Sequence, residues 1–265
     1  MVAVESLIPL QAAGNRFVVL DAISGETPGE DVGLLAQSAC SEHGSPLDGL
    51  LILARPNNPY AAVRMIVYNR DGGRAESCGN GLRCVAKLAR ERGHVNGDAF
   101  VVETDSGPRR VIVERQQGRV IYGKATLGVP QVHALREPLD VEGQVLEVCL
   151  VDMGNPHCVV FVDDVDVTPV SELGPRIEEH ARFPQGTNVE FVSSIPGGVA
   201  MRVWERGVGE TASCGTGAAA VAVAALSTGR AEAPLAVHTR GGILQVAWEA
   251  PGEEVVVGGP VSELT

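Results

Sequence analysis

The sequence has few aromatic residues and no long apolar run. Phe, Trp and Tyr make up 4% of the 265 residues, whereas hydrophobic residues of all kinds reach 45%. The core must therefore be built from Val, Leu, Ile and Ala. The longest all-apolar helical run, residues 218–226, is far shorter than the roughly 20 residues of a membrane-spanning helix. The N-terminal segment has no basic region and carries Glu5, unlike a signal peptide, so we predict a cytoplasmic protein.

Basic residues are also scarce. The chain has 21 Lys and Arg against 33 Asp and Glu, which gives a formal net charge of −12. Nucleic acids and anionic membrane surfaces bind clustered positive charge, and the sequence contains no basic run. We therefore expect neither of them as a partner.

The cysteines lack the spacing of a metal or redox motif. None of the six forms a CxxC pair, which argues against a zinc ribbon or a thioredoxin-type site. Cys149 and Cys158 lie in apolar runs typical of strands, and Cys84 lies inside a predicted helix, so we predict that these three are small core residues. No metal, pyridoxal phosphate, nucleotide or flavin fingerprint is present, so we expect no metal and no cofactor.

The chain contains an internal repeat. Residues 63–81 align without a gap on residues 199–217, at a constant offset of 136 residues, and the alignment places Cys78 on Cys214. After each cysteine a helical pattern runs to a glycine and is followed by a strand, a turn and another strand. The chain is therefore two halves built on one plan.

Each half reads as short strands with a single helix. Residues 80–92 form an amphipathic pattern with Arg83, Lys87 and Arg90 opposite the apolar stripe, so we predict that these three lie on a solvated face. Residues 216–228 are apolar all round, so that helix must be surrounded. The fold class predicted is α/β in the α+β sense: two pseudo-symmetric domains, each a curled mixed sheet around a central helix. Without regular strand–helix alternation, a doubly wound parallel sheet is not expected.

The two repeat cysteines stand where helices are predicted to begin. Helix starts expose N–H groups and a partial positive charge, which favour thiolate over thiol and can bind a carboxylate. Two such thiols on one ligand could remove a proton from one face of a carbon and deliver a proton to the other, inverting a stereocentre. Buried inert thiols, a Cys78–Cys214 disulfide, a non-catalytic amino-acid-binding module and a redox sensor remain alternatives.

These motifs resemble the diaminopimelate epimerase family of pyridoxal-independent amino-acid racemases. The resemblance covers nearly the whole chain and rests on GNRFVVLD, YNRDGGRAESCGNGLRC, MGNPHCVVFVDD, GTNVEFV and ERGVGETASCGTGAA. It implies a role in lysine and cell-wall biosynthesis, a small amino-acid substrate, a homodimer, and two domains with the active site in the cleft between them. The family's C-terminal segment returns to the first domain, so the expected domains are residues 1–122 with 256–265, and 123–255.

The resemblance also assigns roles to residues. It makes Cys78 and Cys214 the thiol/thiolate acid–base pair, with His157 and Glu205 helping to position substrate and thiols. The residues implied to bind substrate are Asn15, Asn69, Gly79, Asn80, Asn155, Asn188, Glu205, Arg206, Gly215 and Thr216. Among them the amides of Gly79, Asn80, Gly215 and Thr216 would hold the carboxylate at the reacting carbon. Arg206 would pair with the distal carboxylate and Glu205 with the distal ammonium.

Two departures from the family pattern bear on substrate choice. Arg16 stands where the family commonly has Asp, and residues 43–49 replace a glycine-rich family loop, with Asp48 and Gly49 retained. The leading hypothesis is interconversion of LL- and meso-diaminopimelate. The alternative is a related cofactor-independent racemase that acts on histidine, proline or hydroxyproline.

The two-cysteine hypothesis predicts the effect of removing either thiol. We expect Cys78→Ser and Cys214→Ser each to lower turnover by orders of magnitude, because an alcohol is a far weaker acid than a thiol and the two groups act together. Steady-state racemisation assays measure this. Full racemisation in either single variant would contradict it, and unchanged ligand affinity without any α-proton exchange in the parent would indicate a binding module.

Overall fold

The structure is a computed structural model of the chain that describes residues 7–25, 31–41, 47–75 and 78–264. Its contacts divide the chain into two compact units, Met1–Thr126 with Gly258–Thr265, and Leu127–Val257. Both units are rich in strands and contain few helices, so the predicted mixed α+β class is confirmed. Ser77 of the repeat and residues 43–46 of the divergent loop lie outside the described residues.

The first unit, unit 1, is a mixed sheet with two helices. Its elements are β1 (Leu7–Ala12), β2 (Asn15–Asp21), α1 (Val32–Ser41), β3 (Gly49–Ala54), β4 (Val63–Asn69), β5 (Arg74–Ala75), α2 (Gly79–Glu91), β6 (Ala99–Thr104), β7 (Gly107–Gln116) and β8 (Arg119–Thr126). Strand β2 is antiparallel to β1 and parallel to β3, and β3 is antiparallel to β4. Strand β4 is antiparallel to β5 and parallel to β6, and β6, β7 and β8 form an antiparallel meander.

The second unit, unit 2, begins with one additional strand and then repeats the order of unit 1 from β1 to β7. Its elements are β9 (Gln131–Val141), β10 (Gln144–Asp152), β11 (Pro156–Phe161), α3 (Val170–Glu178), β12 (Asn188–Ile195), β13 (Gly198–Glu205), β14 (Gly209–Thr211), α4 (Gly215–Ser227), β15 (Leu235–Thr239) and β16 (Gly242–Ala247). Strand β17 (Val256–Pro260) contains the boundary between the units, and β18 (Ser262–Glu263) pairs with β1.

Six strand pairings of the two units correspond, from β1–β2 to β6–β7 in unit 1 and from β10–β11 to β15–β16 in unit 2. In unit 2, β11 is antiparallel to β10 and parallel to β12, and β12 is antiparallel to β13. Strand β13 is antiparallel to β14 and parallel to β15, and β15 is antiparallel to β16. Helix α2 packs inside the sheet of unit 1, and α4 packs in the same way in unit 2. The internal duplication read from the sequence is therefore a duplication of the fold.

The expectation of a single helix in each half was wrong. Helices α1 and α3 connect the parallel pairs β2–β3 and β11–β12, and parallel neighbours require a crossover connection. Helix α1 packs on the sheet face opposite α2 and covers Leu50 and Ile52 of β3, while Asp31 caps its start by accepting a hydrogen bond from the Leu34 N–H at 3.1 Å. The near-continuous apolar run of β3 was the sequence signal, since it marks a strand buried on both faces.

The central helices differ in how well the sequence predicted them. Helix α4 is buried all round, as its composition requires. The predicted solvated face of α2 was wrong, because Arg83 and Lys87 are 1% and 3% exposed and Arg90 is half-buried. The Lys87 ammonium donates to Glu91 at 2.7 Å and to the Val120 carbonyl of β8 at 2.9 Å. The charge is thus neutralised and hydrogen-bonded inside the curled sheet, which an amphipathic pattern cannot reveal.

Within the described residues, the helices are too short or too polar to cross a bilayer.

Burial of Lys87 predicts a stability difference within one helix. Lys87→Ala should lower the free energy of unfolding by about 2 kcal/mol or more, because it leaves the Val120 carbonyl and the Glu91 carboxylate without their cation. Arg92→Ala removes the same charge from an exposed position and should leave the unfolding midpoint nearly unchanged. Urea unfolding of both variants decides the point. Equal urea midpoints of Lys87→Ala and Arg92→Ala would contradict a stabilising role of buried Lys87.

Candidate active site

Cys78 and Cys214 occupy equivalent positions at the starts of α2 and α4. Each cysteine is the N-cap of its helix and has extended backbone, with φ of −149° and −125°. The Cys78 Sγ accepts a hydrogen bond from the Gly81 N–H at 3.3 Å, and the Cys214 Sγ accepts one from the Gly217 N–H at 3.4 Å. A sulfur thus stands where Ser, Thr, Asp or Asn usually caps a helix.

The amides of the first helical turns lie beside the sulfurs. The first N–H groups that bond to a helical carbonyl are those of Leu82 and Ala218, which donate to the carbonyls of Cys78 and Cys214 at 3.0 and 2.9 Å. The preceding amides therefore have no acceptor within their own helix, which is the usual state of a helix start. The amides of Gly81 and Gly217 donate to the sulfurs. The other four belong to Gly79, Asn80, Gly215 and Thr216, and such amides can bind a carboxylate.

Asn15 and Asn80 meet beside Cys78 in unit 1. The Asn80 amide donates to Asn15, and its oxygen accepts from the buried Arg83 guanidinium at 2.6 Å. Asn15 in turn donates to Asp48 at 3.1 Å, and Asp48 also accepts from the Arg16 N–H at 2.8 Å. Arg83 was assigned to a solvated helix face from the sequence, yet its guanidinium donates to Asn80 in the first turn of α2, next to Cys78.

Asn69 lies at the exposed end of β4, next to the start of β3. Its N–H donates to the Gly73 carbonyl at 2.8 Å, which closes the turn into β5. In the strand register Asn69 faces Gly49, the residue that follows Asp48. The structure thus places Asn69 and the Asp48 network at one end of the same strand pair.

Asn188 and Arg206 are joined in unit 2. The Asn188 side chain accepts from the Arg206 N–H at 3.0 Å and donates to the Pro156 carbonyl at 2.9 Å. The Arg206 guanidinium is exposed and donates to the Gln185 carbonyl at 3.3 Å. Asn188 therefore fixes the backbone that carries Arg206 and leaves the guanidinium at the surface.

Glu205 lies beside Cys214. Its carboxylate accepts hydrogen bonds from the Thr211 hydroxyl and from the Cys214 thiol. Burial raises the pKa of Glu205, and the two hydrogen bonds oppose that shift because they stabilise the ionised form. The Cys214 sulfur also lies 3.4 Å from the Thr216 hydroxyl.

His157 forms a buried pair with Glu190, a residue that the sequence reasoning did not assign to the site. The His157 Nδ1 lies 2.7 Å from Glu190 Oε1, and its Nε2 lies 3.1 Å from the Asn155 oxygen. Both His157 and Glu190 are buried. A charged residue between the apolar Val189 and Phe191 was the available signal, because an acidic side chain is costly to bury in a strand without a partner.

The Cys214 thiol does not favour the thiolate form that its place at a helix start suggests. Burial raises its pKa well above the ordinary value, and the carboxylates of Glu205 and Glu190 raise it further. Hydrogen bonds from Thr216 and Gly217 act in the opposite direction. A helix start acts over one turn, whereas here desolvation and two nearby negative charges outweigh it.

The remaining predicted core cysteines are buried, which confirms their assignment. Cys84, Cys149 and Cys158 are all inside the sheets, and burial raises the pKa of Cys84 to about 12. Among residues 7–25, 31–41, 47–75 and 78–264, no three His, Cys, Asp or Glu side chains are grouped so that they could hold a metal ion.

Comparison with known proteins relates both halves of the chain to one family. The family model for diaminopimelate epimerase matches residues 10–128 and 149–263. A diaminopimelate epimerase of Pelotomaculum thermopropionicum is 40% identical in an alignment 265 residues long that covers 95% of this chain and 94% of that protein. One of Moorella thermoacetica is 39% identical in an alignment 273 residues long that covers 97% of this chain and 96% of that protein.

Solved structures show the same fold at lower identity. The crystal structure of a hydroxyproline epimerase from Agrobacterium vitis matches with a TM-score of 0.71 and 18% identity, and the match covers 97% of this chain and 88% of that one. At this identity the similarity concerns the fold alone. The predicted fold class is confirmed by it.

The hydrogen bond from the Thr211 hydroxyl to Glu205 leads to a prediction for the pKa of Glu205. Thr211→Val keeps the side-chain shape but removes a donor to the Glu205 carboxylate, so the ionised form loses support and the pKa of Glu205 should rise further. Carboxyl-carbon NMR of glutamate-labelled protein measures it directly. Thr239→Val, whose hydroxyl bonds a hairpin carbonyl, is the control and should leave Glu205 unchanged. Identical Glu205 titrations in the two variants would contradict the role of Thr211.

Proposed function

Because the chain belongs to the diaminopimelate epimerase family, we propose that it interconverts LL- and meso-diaminopimelate by moving the proton of one α-carbon between two cysteines. Members of this family are isomerases, and so is this chain. The observation that carries the proposal is the duplicated cysteine N-cap, with one sulfur and one set of first-turn amides in each unit. Each compact unit would then supply one of the two proton-transfer groups.

In the proposed reaction the thiolate of one cysteine accepts the α-proton from one face of the carbon. The C–H electron pair stays on the substrate as the C–H bond breaks and the S–H bond forms. The thiol of the other cysteine then gives its proton to the opposite face, where that pair forms the new C–H bond. The carbon is inverted, Cys78 and Cys214 have exchanged protonation states, and the reverse reaction or exchange with solvent restores them.

The first-turn amides would stabilise the intermediate. Negative charge that develops at the α-carbon spreads into the adjacent carboxylate, and preorganised N–H donors stabilise such charge without reorganisation. The amides of Gly79 and Asn80 in α2 would be such donors, and so would those of Gly215 and Thr216 in α4. The contact between Asn80 and Asn15 supports a role for Asn15 in keeping the first of these turns in place.

Arg206 would bind the distal carboxylate. Its guanidinium is exposed, and Asn188 holds its backbone, which suits bidentate recognition of a carboxylate. Asn69 and Asn155 would contribute further polar contacts to the substrate. Glu205 touches the Cys214 thiol, so its contacts support positioning of that thiol as well as binding of the distal ammonium.

The family resemblance also supports two proposals about the protein's setting. We infer a homodimer in the cytoplasm. Light scattering of the purified protein over a range of concentrations measures the oligomeric state.

The substrate proposal is tested by solvent exchange. Incubation with LL-diaminopimelate in deuterated water should give the meso isomer with deuterium at the inverted α-carbon, because the proton delivered to the new face comes from a thiol that exchanges with solvent. Chiral chromatography and mass spectrometry read the isomer and the label. Histidine, proline and hydroxyproline are the comparison substrates. These three substrates lack the second amino-acid head group that Arg206 would bind. Faster exchange of one of them than of diaminopimelate would therefore favour the related-racemase alternative.

A further inference from the structure

The buried His157–Glu190 pair belongs to unit 2 alone. In the parallel pair β11–β12, His157 is in register with Asn188, and Glu190 lies two residues further along β12. In the corresponding pair β2–β3, Phe17 is in register with Gly49, and Leu51 lies two residues further along β3. Unit 1 therefore has Phe and Leu where unit 2 has His and Glu.

The antiparallel registers give the same correspondence. Leu51 faces Val67 across β3 and β4, and Glu190 faces Val203 across β12 and β13. Val67 and Val203 are themselves matched in the sequence repeat. Leu51 and Glu190 are thus the same position in two copies of one fold.

Both of these side chains touch the first turn of the cysteine helix. A Cβ added to Gly81 would lie 3.0 Å from Leu51 Cδ2 and 3.3 Å from the Cys78 sulfur. A Cβ added to Gly217 would lie 2.7 Å from Glu190 Oε1 and 3.2 Å from the Cys214 Cβ. Glycine is needed at residue 217 because the carboxylate approaches the helix so closely. The side chain packed against the cysteine turn at this position is consequently apolar in unit 1 and anionic in unit 2.

Packing does not explain Glu190. Its side chain is fully buried, Oε1 is taken by His157, and Oε2 has no hydrogen-bond partner in the described part of the chain. A buried carboxylate oxygen without a partner is costly, and the Phe17–Leu51 pair shows that apolar residues fill the same place in this fold. A costly group that the fold does not need points to a role in the reaction.

We propose that Glu190 is a positioning residue that makes the two proton-transfer groups unequal, since it sets a carboxylate against the cysteine turn of α4 where Leu51 lies against that of α2, and it orients His157. This inference rests on the proposed two-cysteine reaction. That reaction needs one thiol and one thiolate at the start of each turnover, and two identical halves would have no means to decide which is which. The Glu190 carboxylate beside α4 contributes to the difference, together with burial and Glu205.

The groups around Cys214 act in the required direction. Burial and the carboxylates of Glu205 on β13 and Glu190 on β12 raise the pKa of Cys214, and Thr216 on α4 lowers it. His157 on β11 acts on Glu205 in the opposite sense to Glu190.

Glu190 also determines how His157 is held. An ionised carboxylate only accepts hydrogen bonds, so across the 2.7 Å contact an ionised Glu190 would require the proton of the ring to be on Nδ1. The other nitrogen then faces the Asn155 side chain at 3.1 Å. The Asn155 oxygen can accept a hydrogen bond from an Nε2 that carries a proton. If the Asn155 amide turns over, its NH2 group can donate to an Nε2 without a proton, so the ring keeps one orientation in both states.

Glu190→Gln tests the proposal, with Glu147→Gln as the control. Glu147 is an exposed residue of unit 2 paired with Arg230, so its substitution removes the same charge away from the site. Loss of the Glu190 charge should lower the pH at which Cys214 ionises by about one unit or more. Ultraviolet thiolate absorbance of the ligand-free protein, after subtraction of the Cys214→Ser titration, measures this. The control should titrate like the parent.

The kinetic readout follows from the same change. In the direction in which Cys214 donates its proton, the thiol form must be present, so the alkaline limb of kcat/KM should move to lower pH in Glu190→Gln. In the other direction the acid limb should move to lower pH. A residue with a purely structural role would scale both profiles without moving either limb. Unmoved limbs together with an unmoved Cys214 titration would overturn the proposal.

A second variant covers the case in which Glu190→Gln does not fold. The double substitution of His157→Phe and Glu190→Leu copies the Phe17–Leu51 packing of unit 1 and should fold. Cys214 should again ionise at lower pH, and an unchanged titration would equally overturn the proposal. The thiol titration needs no substrate, so it is independent of the substrate test. A parent that fails to epimerise diaminopimelate would refute the proposed function while leaving the titration result readable.

Discussion

The hydrogen bond from a first-turn amide to a cysteine sulfur is the interaction on which the site depends. It occurs at Gly81 and Cys78 and again at Gly217 and Cys214, at 3.3 and 3.4 Å. It places each sulfur at a helix start, next to amides that the helix leaves without acceptors. The curled sheets hold these starts in place because α2 and α4 are the buried centres of their units.

Duplication explains the shared geometry, and later divergence explains the chemical difference between the halves. Six strand pairings and the geometry of the cysteine turns are the same in both units. The side chains packed near those turns differ. Unit 2 has Glu190 at the position of Leu51 in unit 1, and His157 at the position of Phe17. In the proposed reaction such a difference affects which of two like groups holds the proton in the empty enzyme, while the scaffold stays unchanged.

Much of the fold and part of the site could be predicted from the sequence. The repeat located both cysteine helices, and the apolar run of α4 correctly indicated a surrounded helix. Helices α1 and α3 were missed, although the near-continuous apolar run of β3 is typical of a strand that is covered on both faces. Lys87 was also misassigned. Its charge is satisfied by Glu91 and a strand carbonyl, and neither partner is visible until the sheet closes around the helix.

The sequence by itself determined the mixed fold class, the duplication and the equivalence of Cys78 and Cys214, because these depend on local patterns and on their repetition. Only the tertiary structure decided the electrostatics around the thiols. Glu190 lies 24 residues before Cys214 in the chain, yet it contacts the first turn of α4 and opposes ionisation of that thiol. Desolvation and charge–charge interactions depend on distance in space, which the order of residues does not reveal.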